Sequence, residues 1–66
     1  MSKRELIDVL VRLHHETERA VLVSDTGNRN DAVWLPLSQI EFISGPKPGT
    51  IEITLPEWLA LSKGLI

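Results

Sequence analysis

Between Leu6 and His15 apolar and polar positions alternate: Ile7, Val9, Val11 and Leu13 fall on one face, Asp8, Leu10, Arg12 and His14 on the other. A period of two built from β-branched residues predicts a strand over residues 6–15 with one face toward a core. Ahead of it, Ser2 and Glu5 have the spacing of a capping box, which could open a short helix; the strand is preferred. Glu16, Thr17 and Glu18 leave room only for a tight turn, so a second strand over 19–24 pairs with the first as an antiparallel hairpin. The register of that turn is open by one residue, and a one-residue slip would exchange the two faces of the second strand.

Residues 25–31 (Asp-Thr-Gly-Asn-Arg-Asn-Asp) concentrate turn formers and predict a hairpin loop. A third strand follows over 32–37, with Val33, Leu35 and Leu37 on one side and Trp34 on the other. Pro36 has no N–H for a ladder bond, so this strand lies at an edge or ends there. Ser38 to Glu41 read as a single capped turn before Phe42 and Ile43, and Ser44 to Gly49 as a stiff loop. The last strand, 50–55, alternates Ile51, Ile53 and Leu55 with Thr50, Glu52 and Thr54 and runs into a second Leu-Pro step at Pro56.

From there a helix is predicted over 56–63. Pro56 suits a first helical position, Thr54 and Glu57 have capping-box spacing, Lys63 falls in the last turn, and Gly64-Leu65 fits a Schellman ending. Its polar positions are only Glu57, Ser62 and Lys63, so the helix should be buried on more than one side. The fold class is therefore mainly β (α+β): one domain spanning 1–66, a small four-stranded antiparallel sheet, curled or barrel-like, with the C-terminal helix closing one end. The expected core is Val9, Val11, Leu13, Leu22, Val33, Leu35, Ile40, Ile51, Ile53, Leu55 and Leu61, with Trp58 anchoring the helix.

A 66-residue chain hides only about 60% of its unfolded surface and folds near the limit of independent stability. With no cysteine, neither a disulfide nor a thiolate metal site can help, which points to a reducing cytoplasm and to support from a homo-oligomer or another partner. Trp58, Leu59, Leu61 and Leu65 are the expected oligomer interface. Met1 to Arg4 are followed by Glu5 and Asp8 rather than an apolar segment, so no signal peptide is expected, and no apolar run is long enough to span a membrane. The net charge of −2, with scattered bases, argues against duplex DNA as a partner.

Chemistry-bearing residues are sparse. His14 and His15, adjacent on a strand, point to opposite faces and cannot chelate one metal ion. Ser24, Ser38, Ser44 and Ser62 sit in turn or capping contexts with no elbow motif, and nothing resembles a catalytic triad, so no enzyme activity and no cofactor are expected. Arg29 and Lys47 are accessible loop cations, and Gly45 and Gly49 lack the spacing of a phosphate loop. The remaining set is Trp34 with Arg12, Arg19 and His14: an outward tryptophan can stack a flat ring while a guanidinium grips phosphate. Two readings of this set stand. In one it holds a small anionic nucleotide; in the other Trp34 packs in an interface and the arginines pair with Glu16 and Glu18.

Over 16–23, 33–41 and 53–66 the chain resembles a group of small phage and prophage proteins that share a Trp-Leu-Pro-x-Ser-Gln-Ile-Glu segment and a Leu-Pro-Glu-Trp-Leu-Ala-x-x-Lys-Gly-Leu-Ile ending, here Trp34 to Glu41 and Leu55 to Ile66. Leu37 stands where a lysine is common in that group. The resemblance implies a phage setting and one of three tasks: sequestering a nucleotide immune signal of the host, blocking a host defence protein, or serving in phage replication or recombination. The first agrees best with the residues, since sequestration needs no catalytic groups, builds its pocket between subunits and recognises a ligand with aromatic and arginine side chains; the alternative is an inhibitor or adaptor that turns the same apolar surface to a host or phage protein.

Overall fold

The computed structural model describes residues 5–66, so Ser2, the first partner of the Ser2–Glu5 capping spacing, lies outside the described residues. Five strands form one antiparallel sheet: β1 (Leu6–Glu16), β2 (Ala20–Ser24), β3 (Val33–Pro36), β4 (Glu41–Ser44) and β5 (Thr50–Pro56), followed by helix α1 (Glu57–Ser62). The spatial order is β3-β2-β1-β5-β4 and the sheet is open, with β3 and β4 at its edges. The expected four strands become five because Glu41 to Ser44, too short to display a period, pairs with β5 through Glu41↔Thr54 and Ile43↔Glu52. An open sheet also replaces the barrel-like closure. Pro36 does end an edge strand.

β1 is the centre of the sheet. Its first part pairs with β5 from Leu6↔Pro56 to Arg12↔Thr50, and its last part pairs with β2 from Arg12↔Ser24 to Glu16↔Val21. Side chains opposite one another across these ladders share a face. The inner face therefore collects Ile7, Val9, Val11 and Leu13 from β1, Val21 and Val23 from β2, Val33 and Leu35 from β3, Phe42 from β4, and Ile51, Ile53 and Leu55 from β5. The link from β3 to β4 crosses from one edge to the other through a 3-10 turn at Leu37–Gln39, and its Ile40 is buried in the core. Full burial of each such side chain stabilises the fold by about 1.5–3 kcal/mol.

Helix α1 covers an open margin of this core with Leu59 and Ala60, and Leu65 in the tail joins them. Its ending is the expected Schellman motif: Leu65 N–H donates to Ala60 O at 2.9 Å, Gly64 N–H donates to Leu61 O at 3.2 Å, and Gly64 adopts φ 74°, a conformation that favours glycine. The start differs from expectation. Pro56 is the N-cap rather than the first helical residue, with no side-chain cap, because Thr54 Oγ1 instead donates to Asp8 Oδ1 across the sheet at 2.6 Å. Trp58 does not anchor the helix and Leu61 is not core; one helical turn apart on the solvent side, they are 49% and 58% exposed. Val9, Leu13 and Val33 are partly rather than fully buried. Leu22 is buried, but its register partners His15 and Trp34 place it on the outer face of the sheet.

Candidate functional site

The outer face decides which of the candidate residues meet. β1 and β2 lose a residue of register between Leu13 and His15, leaving His14 as the extra residue of a bulge. His14 turns to β2, where its Nε2 lies 2.8 Å from Ser24 Oγ, and that oxygen also accepts from Gly27 N–H at 3.0 Å. Ser24 is fully buried, so the pair fixes the start of the loop after β2.

The bulge delivers His15, not His14, to the row that contains Leu22 and Trp34. The His15 and Trp34 rings stand edge to face, with centroids 6.1 Å apart and planes at 90°, a geometry favoured by the charge distribution of aromatic rings. Trp34 remains nearly half exposed on the edge strand. Arg19 lies in the β1–β2 turn, where Thr17 Oγ1 accepts from Ala20 N–H at 3.1 Å; the Arg19 carbonyl accepts from Leu37 N–H at 2.8 Å, which sets its backbone past the Ala20↔Pro36 pair that ends β3, three residues along from Trp34.

Arg12 is apart from this group. It shares the outer face, but register puts it two strands and one row from Trp34, roughly 12 Å by ordinary strand spacing. Its guanidinium lies against two loop glycines: a Cβ at Gly49 would be 3.0 Å from Nη1 and one at Gly27 would be 3.6 Å from Nε. A shallow cleft of about 230 Å³ runs beside it, lined by Leu10, Asp25, Thr26 and Thr50. The structure thus joins Trp34 with His15 and sets Arg19 beyond the end of β3. It separates Arg12 and assigns His14 a structural bond.

Of the expected oligomer interface, Leu59 and Leu65 are buried in the chain's own core, while Trp58 and Leu61 stay exposed together with Ile66. A second surface escaped the sequence reading. On the outer face of β1, β5 and β4, the rows Asp8–Thr54–Glu41 and Leu10–Glu52–Ile43 lie side by side with Leu6 at their end. Two surface clefts follow these rows, one of about 270 Å³ between Leu6, Gln39 and Thr54 and one of about 330 Å³ along Glu41, Ile43 and Glu52. Alternation in β1 and β5 marks their polar sides, but in the strand that completes the surface Glu41 falls in a predicted turn and Ser44 in a predicted loop, leaving only Phe42 and Ile43 between them.

Among the described residues no group of three or more His, Asp or Glu side chains is placed to hold a metal ion, and no helix is long and apolar enough to cross a membrane. No protein-family model, curated protein or solved structure matches this chain.

Proposed function

We propose that this chain is a non-enzymatic binding protein whose partner is another protein. The observation that carries the reading is the exposure of seven large apolar side chains, Leu6, Leu10, Trp34, Ile43, Trp58, Leu61 and Ile66, each between 45% and 65% exposed. Single exposed apolar residues are ordinary, but contiguous ones mark interaction surfaces. Here Trp58 and Leu61 adjoin on α1, and Leu6, Leu10 and Ile43 share the outer face of the sheet with Asp8 and Glu52 between them. The α1 surface suits self-association, which would add the buried area that so small a chain lacks. The resemblance to small phage and prophage proteins favours a cytoplasmic setting in an infected cell and a target among host defence proteins or the phage replication and recombination machinery.

Native mass spectrometry of the chain purified from such cells tests this reading. The expected spectrum holds an oligomer or a protein complex that disappears in a Trp58→Ser/Leu61→Glu variant whose circular dichroism is unchanged. A bare monomer at high concentration, with no protein retained, overturns it.

One observation favours a second reading, in which the chain sequesters an anionic nucleotide. His15 and Trp34 present an aromatic pair at the rim of the sheet, with Arg19 in the β1–β2 turn past the end of β3, and such rings stack nucleobases while a guanidinium pairs with phosphate. A thermal shift with cyclic dinucleotides or ADP-ribose, lost in Trp34→Ala, is the expected result under this reading. Absence of any nucleotide response removes it and leaves the protein-binding reading intact.

A further inference from the structure

The two edges of the sheet are not equivalent. β3 ends on Pro36 and is flanked by 3-10 turns at Arg29–Asp31 and Leu37–Gln39, features that obstruct the addition of another strand. β4 shares the Leu37–Gln39 turn but lacks a terminal proline: Glu41 to Ser44 contain neither proline nor lysine, and among the described residues they pair with β5 alone.

The surface continuous with this edge has a definite chemical character. Its outward rows hold Leu6, Leu10 and Ile43, exposed at 61%, 50% and 65%, interleaved with the carboxylates of Asp8, Glu41 and Glu52. Among the described residues of β1, the base on this face, Arg12, has its guanidinium against Gly27 and Gly49. On the inward side of β4, Phe42 is only partly buried at the margin of the core.

We infer that β4 is an acceptor edge for an extended, basic segment of a partner protein, which joins the sheet as a sixth strand. This rests on the protein-binding reading and gives the partner's chemistry. The added strand alternates lysine or arginine with valine or isoleucine. Its bases lie on the outer row beside Glu41, with Glu52 one strand further in; its apolar side chains lie on the inner row against Phe42. Main-chain hydrogen bonds supply affinity and the alternating side chains supply specificity. A second copy of this chain is the poorer occupant, since pairing β4 with β4 extends one sheet carrying two sets of the same three carboxylates, and like charges across an interface disfavour it.

The test titrates two synthetic peptides, acetyl-Lys-Val-Lys-Ile-Lys-Val-amide and its glutamate counterpart, into the ¹⁵N-labelled chain. The expected result is shift changes and slowed amide exchange at residues 41–44 with the lysine peptide alone. Affinity should fall as salt shortens the screening length, and by about tenfold or more in Glu41→Lys/Glu52→Lys, two exposed positions whose exchange leaves the fold intact. Equal binding of the glutamate peptide, changes confined to α1 or β3, or concentration-dependent protection of β4 in the chain alone would each overturn the inference. So would silence with both peptides. None of these outcomes decides the protein-binding reading, which stands or falls on Trp58 and Leu61, away from β4.

Discussion

His14 Nε2 and Ser24 Oγ lie 2.8 Å apart at the one place where β1 and β2 fall out of register. Continuing the Leu13↔Val23 pairing without the bulge would set His14 opposite Leu22 and beside Trp34. The extra residue gives that place to His15 and frees His14 to bond the buried serine. One displaced residue thus fixes both the loop after β2 and the composition of the aromatic rim.

Ser24→Ala should therefore destabilise the chain by about 1–3 kcal/mol, because it strips a partner from both the His14 ring and the Gly27 N–H. For a domain this small that corresponds to a fall in melting temperature of roughly 4–8 °C per kcal/mol. Thermal denaturation followed by circular dichroism measures it. A change within error of zero would mean that water replaces both bonds.

The two sides of α1 should respond oppositely to substitution. Leu59→Ala and Leu65→Ala remove core side chains and should each cost about 2–5 kcal/mol. Leu61→Glu, on the exposed side, should change monomer stability by about 0.5 kcal/mol or less while abolishing association through the helix. Urea denaturation and sedimentation velocity on the same three variants separate the effects.

Gly49→Ala tests whether the backbone or the neighbouring arginine makes this position glycine. Its φ of 82° costs a residue with a Cβ about 1–2 kcal/mol, whereas the 3.0 Å approach to Arg12 Nη1 involves the far end of a flexible side chain and should relax cheaply. The loss in Gly49→Ala should accordingly be the same in an Arg12→Ala background. Substantial rescue by Arg12→Ala in denaturant titrations would place the cost in the side-chain contact instead.

A longer run in the right period would have revealed β4. Glu41 to Ser44 offer only Phe42 and Ile43 as apolar positions, one pointing to each face, and so short a stretch reads equally well as the end of a turn. Its strand character comes from β5, which supplies hydrogen-bond partners from Ile51 to Thr54. The acid-lined outer surface was hidden for the same reason, since Glu41 and Ile43 join it only through that pairing. Thr54 and Glu57 show the converse case. Their spacing is that of a capping box, yet Asp8, 46 residues away, takes the Thr54 hydroxyl.

What the sequence determined by itself is everything governed by short-range periodicity and backbone chemistry. The alternation of β1 and β5 placed Val11, Ile51, Ile53 and Leu55 in the core, Pro36 terminated an edge strand, and Gly64-Leu65 closed the helix. Tertiary structure alone decided the matters that depend on relative placement: the one-residue slip at His14, the pairing of β1 with β5, and which side of α1 meets the sheet. Leu59 and Leu61 are identical in chemistry and two residues apart. A helix turns about 200° over two residues, so docking one of them against the core necessarily leaves the other in solvent.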